Sequence, residues 1–143
     1  MITIKDVETR SQLKDFINFN YTLYKGNEYA VPELMVDLLN TFSPEKNAAF
    51  EFCEAKYFLA YDDAGKIVGR VAGIINHKAN ESWHLHKVRF GWIDFIDDRE
   101  VSAALLKAVE EWGKSKGMDS IQGPMGFTDM DHEGMLIEGF DEL

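Results

Sequence analysis

Arg70 lies in a strand-like run whose remaining side chains on that face are apolar. A guanidinium in that setting either binds an acidic group of a ligand or pairs with a carboxylate of its own sheet, such as Asp94, and the structural ion pair is the preferred reading. His84 and His86 lie two apart, so on a strand they would share a face, a spacing that suits a metal. A site needs a third ligand and none is close in sequence, so the pair reads as surface or packing histidines and no metal is expected. Asp129-Met130-Asp131-His132-Glu133-Gly134 starts like a calcium loop, with oxygen donors at positions 1, 3 and 5 and glycine at 6. Phe140 stands where the loop needs a bidentate glutamate, which leaves a polar loop as the better reading. Cys53, the single cysteine, has no neighbouring base and is read as packing, and its solitude agrees with a reducing cytoplasm.

These residues need elements to position them. Met1 to Val7 alternates as a short strand, and Thr9-Arg10-Ser11-Gln12 has capping-box form ahead of Leu13, Phe16, Ile17, Tyr21 and Tyr24 at helical spacing. Val31-Pro32 is expected to open a second helix buried through Leu34, Met35, Leu38 and Leu39, and Ser43-Pro44-Glu45 a third. Two strands, Lys56 to Tyr61 and Lys66 to Asn76, flank the turn Asp62-Asp63-Ala64-Gly65. The second carries Ile67, Val71 and Ile75 on one face and Val68, Ala72 and Ile74 on the other, which predicts a central strand covered on both sides. Asn76 to Lys87 reads as a loop. Val88 to Ile96 reads as a strand with Phe90 and Trp92 on one face and Ile93 and Phe95 on the other. Asp97 and Glu100 then form the N-cap and N3 of a capping box, and Val101, Ala104, Leu105, Ala108, Val109 and Trp112 make an unbroken helical stripe. Met118 to Gln122 follows as a strand parallel to Val88–Ile96, because a strand–helix–strand crossover is right-handed and parallel.

Length and charge set the outer limits. One domain spanning 1–143 is expected, burying about 68–70% of its unfolded surface. The net charge of −10 disfavours duplex nucleic acid and anionic membranes, which bind through clustered cations, while a cationic or neutral small substrate stays compatible. No apolar run approaches a membrane span, and Met1 to Asp6 does not read as a signal peptide, so the expected location is the cytoplasm.

The element order β-α-α-β-β-β-α-β resembles the GNAT acyltransferase superfamily, and within it a bacterial branch. Val31-Pro32, Asn47 with Phe50, Val68-Gly69-Arg70-Val71-Ala72, Gly91-Trp92-Ile93-Asp94 and Ile121-Gln122-Gly123-Pro124 followed by Gly139-Phe140 carry the resemblance, from Met1 to Leu143. It implies an α/β (α+β) fold: a mixed sheet with helices on both faces, here incomplete at the C-terminus. It implies an N-acyltransferase taking an acyl group from acetyl-CoA or another acyl-CoA to a small-molecule amine. Asp94, near the end of the strand that lines the acyl site, would take the amine proton; a solvated carboxylate at a strand end is the competing and preferred reading. The backbone N–H groups of Asp94 to Ile96 would polarise the thioester carbonyl, and Phe95, Ile96, Arg99 and Ser102 would hold the cofactor.

Two departures from the family pattern follow. The superfamily's Q/R-x-x-G-x-G/A loop bares backbone N–H groups to the pyrophosphate at a helix start. Here Asp97, Glu100 and Ser102 fall where Arg, Gly and Gly/Ala are expected, so coenzyme A should bind weakly. A non-catalytic GNAT-derived domain that binds a ligand or partner is therefore the rival reading. The second departure is that the helix and strands expected after the last strand are absent, which predicts an exposed apolar edge and a homo-oligomer.

Overall fold

A computed structural model describes residues 1–142. The elements in chain order are β1 (Thr3–Asp6), α1 (Arg10–Leu23), α2 (Met35–Thr41), β2 (Cys53–Tyr61), β3 (Ile67–Asn76), α3 (His77–Trp83), β4 (Lys87–Phe95), α4 (Arg99–Ser115) and β5 (Ser120–Gln122), with a single 3-10 turn at Ala48–Glu51 before β2. The strands form one sheet in the order β1-β2-β3-β4-β5. The pairings are antiparallel from β1 through β4, and β4 and β5 are parallel, as the crossover through α4 requires.

Two apolar layers cover the two faces of β3. On one, α1, α2 and the 3-10 turn bury Phe16, Ile17, Leu38 and Phe42 against Leu59, Ala72 and Ile74. On the other, Val101, Leu105 and Val109 of α4, spaced four apart and fully buried, pack on Val71, Ile75 and Val88. α4 approaches closely because β3 carries Gly69 under it: a Cβ there would lie 2.8 Å from side-chain carbons of both Leu105 and Val101.

Local signals explain most element ends. The Thr9 hydroxyl accepts from the Gln12 N–H at 3.1 Å and the Gln12 side chain accepts from the Thr9 N–H at 3.0 Å, which completes the expected capping box. Four expectations need correction. Val31 and Pro32 are outside any helix; the residue before proline is pushed to extended backbone, and α2 begins only after Leu34. Ser43-Pro44-Glu45 leads only to the 3-10 turn, capped by Asn47. The segment read as a loop from Asn76 contains α3, capped by the Asn76 side chain; none of its residues is buried, so it has no apolar stripe to betray it. The face assignments in β3 and β4 also shift. Val68 is an extra residue opposite the Ala60/Tyr61 step, so Val68 rather than Ile67 joins the α4 layer. In β4, Phe90 packs on the α4 side and Trp92 on the α1 side, because a bulge falls between them and the rest of the strand.

Candidate functional site

The bulge in β4 is the centre of the candidate site. Arg70 pairs with Asp94 and Ala72 with Gly91, so Val71 alone faces two residues, Trp92 and Ile93. Trp92 takes φ of 45°, the left-handed region that a bulky side chain reaches only at a cost of about 1–3 kcal/mol. Its ring is held edge-on by Phe42 at 5.0 Å and lies 5.7 Å from Phe127, contacts that fix the strained backbone. Gly91 precedes it because the Met125 carbonyl packs where a Cβ would sit, and the Met125 N–H donates to the Phe90 carbonyl at 2.9 Å. The chain beyond β5 therefore leaves β4 at Phe90 and Gly91. β5 pairs only with Lys87, Val88 and Arg89, so among the described residues the outer edge of β4 from Trp92 to Phe95 has no strand beside it.

Which donors this edge offers follows from the ladder. Ile96 gives its N–H to the Val68 carbonyl at 3.0 Å, so the expectation that Ile96 polarises a carbonyl through its backbone fails. Successive N–H groups of an antiparallel strand point to opposite edges, so the Phe95 N–H faces the open side. Phe95 itself packs beneath α4, and Ile96 is exposed.

Asp94 sits at the head of this edge in a polar cluster that is buried at Arg70 and opens to solvent at Tyr24. Arg70 donates to its Oδ2 from Nε and reaches it with Nη2, both at 2.8 Å, and the two side chains are only 4% and 13% exposed. Asn20 Nδ2 donates to Oδ2 at 3.1 Å and the Tyr24 hydroxyl to Oδ1 at 2.9 Å. Arg70 Nη1 donates to the Phe16 carbonyl at 3.1 Å, and the guanidinium lies 5.0 Å from the Phe16 ring centre. Burial, seconded by the Asp94 charge and hydrogen bond, pushes the Tyr24 phenol up to about 12. It is neutral at ordinary pH. The Arg70–Asp94 pair is the one the sequence suggested. Nothing in the sequence ties Asn20 and Tyr24 to this pair, although Phe16, Asn20 and Tyr24 lie four apart and so on one face of α1. The solvated-carboxylate reading of Asp94 does not describe this cluster: Oδ2 receives Arg70 and Asn20, and Oδ1 receives the Tyr24 hydroxyl.

The start of α4 is closed. Its N-cap is Asp98, not Asp97, and Glu100 is the second helical residue. Asp98 Oδ1 accepts from the Glu100 N–H at 2.8 Å, and the Asp98 carbonyl accepts from Val101 and Ser102. Of the first four helical N–H groups, only that of Arg99 is left for an anion. Arg99 is exposed, and the Ser102 hydroxyl turns inward to the Arg99 carbonyl at 3.2 Å.

The other residues singled out in the sequence are dispersed. His84 ends α3 with φ of 55° and His86 lies 3.9 Å from Asp119, so they share no strand face. Among the described residues no group of three His, Cys, Asp or Glu side chains is placed to hold a metal ion. Asp131 Oδ2 accepts from the N–H groups of Phe127 and Thr128, so it shapes the turn. Cys53 is buried, and burial pushes its thiol up to about 11, away from nucleophilic reactivity. Among the described residues no helix is long and apolar enough to cross a membrane.

Comparison with known proteins agrees with this architecture. The chain has the fold of the GNAT acetyltransferases. It superimposes on a GNAT-family acetyltransferase from Staphylococcus aureus Mu50 with a TM-score of 0.56 at 19% identity, covering 85% of this chain and 71% of that one. It superimposes equally well, at 17% identity, on AAC(6')-Iy in complex with the bisubstrate analogue CoA-S-monomethyl-acetylneamine, over 85% of this chain and 78% of that one. In sequence it is 36% identical over 132 residues to protein YghO of Escherichia coli, covering 92% of this chain and 33% of YghO. It is 27% identical over 141 residues to the bacterial ceramide synthase of Caulobacter vibrioides, covering 98% of this chain and 36% of that protein. The chain thus spans about a third of the length of the curated relatives it matches. No protein-family model matches it.

Proposed function

We propose that the chain is an N-acyltransferase domain that takes an acyl group from acyl-CoA to an amine, the thioester lying along the open edge of β4. The observation that carries this reading is the unpaired edge from Trp92 to Phe95 beyond the bulge. The Phe95 N–H is the donor that would meet the thioester oxygen as negative charge gathers there. The amine nitrogen would attack that carbonyl and form the amide bond as the C–S bond breaks, and the proton lost from nitrogen ends on the departing sulfur as free thiol. Arg99 and Ser102 would stand at the diphosphate end, with Arg99 the cation nearest the α4 start. Asp94 serves in this scheme as a positioning residue. It takes the Tyr24 proton in a hydrogen bond, which leaves the lone pairs of the phenol free to accept from an amine N–H. The ceramide synthase relative supports an amphipathic acceptor, since a ceramide is the amide of a long-chain amino alcohol. Release of free coenzyme A thiol from acetyl-CoA and a long-chain acyl-CoA, assayed across short and long-chain amines, tests the reading. Acceptor-dependent thiol release supports it. Tyr24→Phe should raise the KM for the amine by about 3–10-fold, the worth of one lost hydrogen bond, with kcat less affected.

The closed start of α4 favours a second reading, a GNAT-derived domain that binds a ligand or partner without acyl transfer. Absence of thiol release with every donor and acceptor, together with no thermal shift by acyl-CoA, would favour it.

A further inference from the structure

At the opposite end of β4 lies a cavity of about 370 Å³ that the acyl-transfer reading does not use. It opens between α3 and the segment following β5, and Lys78, Lys87 and Arg89 line it together. Four cations elsewhere in this acidic chain pair with carboxylates: Lys56 with Asp6, Arg70 with Asp94, Lys107 with Glu111 and Lys116 with Glu54. Among the described residues none of the three cavity cations makes an ion pair. Lys87 Nζ donates to Gln122 Oε1 at 2.5 Å. Arg89 Nη1 donates to the carbonyls of Gly126 and Phe127 at 3.1 and 3.3 Å, and Lys78 lies 5.6 Å from the Phe52 ring centre. Among the described residues Asp129 is the one carboxylate on the wall, against three positive charges. In a chain of net charge −10, three cations around one cavity with a single carboxylate give it a local positive excess that suits an anion.

Trp83 completes the wall and is 75% exposed, an unusual state for so large an aromatic surface. An indole face beside a cationic cluster suits a planar ring attached to the anion. We propose that this cavity binds a small phosphorylated ligand of mononucleotide size, its phosphate held by Lys78, Lys87 and Arg89 and its ring stacked on Trp83. The volume falls within the range of small-molecule sites. Phosphate-type charge is favoured over a single carboxylate because the wall carries an excess of two positive charges.

The test is a titration of the intact chain with AMP at low ionic strength, without acyl-CoA, followed by tryptophan fluorescence and calorimetry. Inorganic phosphate and adenosine serve as partial probes. AMP should bind more tightly than either partial probe and weaken with added salt. The double variant Lys78→Glu/Lys87→Glu spares Arg89 and its contacts to the chain; with an unchanged melting temperature it should bind AMP at least about tenfold more weakly. Trp83→Ala should bring AMP down to the affinity of phosphate. No saturable binding of AMP at millimolar concentration overturns the proposal, as does equal binding by the folded double variant. AMP held no more tightly than phosphate by the unaltered chain overturns the assignment of a planar ligand.

Discussion

Arg70 and Asp94 face each other across β3 and β4 and are the residues on which the site turns. A buried guanidinium left without its partner costs about 3–5 kcal/mol, so Asp94→Ala should lower stability by that amount, read from the denaturant midpoint. Replacing both charges together, as Arg70→Met with Asp94→Leu, should recover most of the loss, because matched apolar pairs remove the desolvation cost of each ion. An unshifted midpoint in Asp94→Ala would mean that the pair does not form. Tyr24 adds a pH-dependent test. Its folded value is raised to about 12 above the ordinary 10, chiefly by burial. The stability it contributes is therefore complete below about pH 10 and fades as pH rises toward 12. Phenolate absorbance should show one tyrosine titrating near pH 12 that disappears in Tyr24→Phe; a difference spectrum centred near 10 would refute this. The pair was legible from sequence because a lone cation on an apolar strand face needs a carboxylate. The α1 contributions were not, since Asn20 lies 74 residues and Tyr24 70 residues from Asp94, and only packing brings them together.

At the scale of elements, periodic apolar stripes were the reliable signal. α4 and its parallel strands were legible because Val101, Leu105 and Val109 repeat every four residues between two strand-like runs. α3 was not, as it buries nothing and rests on the Asn76 cap and the Asn80 side chain donating to the Lys87 carbonyl. The bulge was also invisible, because the alternation of β4 survives on either side of it and only the phase changes at Trp92. The start of α4 was misplaced by one residue, since Asp97 and Asp98 compete for the same cap and only geometry decides. Asp98→Ala should destabilise the fold by about 0.5–2 kcal/mol, whereas the exposed Asp97→Ala should stay within about 0.5 kcal/mol. Equal effects on the denaturation midpoint would place the cap elsewhere.

For the whole molecule, surface chemistry governs what can approach. Val31, Leu34 and Val36 before and within α2, and Met130, Leu136 and Ile137 after β5, are all exposed, and covering this apolar surface would favour self-association. Sedimentation at rising concentration should show a dimer or larger species, and a persistent monomer would refute that. Coenzyme A meets a different difficulty. Its diphosphate would arrive at the α4 start, where the Glu100 N–H is taken by Asp98 and the Val101 and Ser102 N–H groups are taken by the Asp98 carbonyl. One free amide and Arg99 then stand against the carboxylates of Asp97, Asp98 and Glu100, within a chain already at −10. A helix start binds anions through bare N–H groups and a positive dipole end; here Asp98 takes those N–H groups with its carboxylate and its carbonyl, and its negative charge already sits at the dipole end. Calorimetry with acetyl-CoA should therefore give a Kd weaker than about 10⁻⁶ M at physiological salt, where screening softens repulsion without supplying donors. Asp98→Gly with Glu100→Gly would bare the amides and remove two charges. That variant should bind acetyl-CoA at least about tenfold more tightly despite its lower stability, a gain of about 1.4 kcal/mol. A micromolar or tighter Kd for the unaltered chain, or no gain in the variant, would show that the diphosphate is held by groups away from α4.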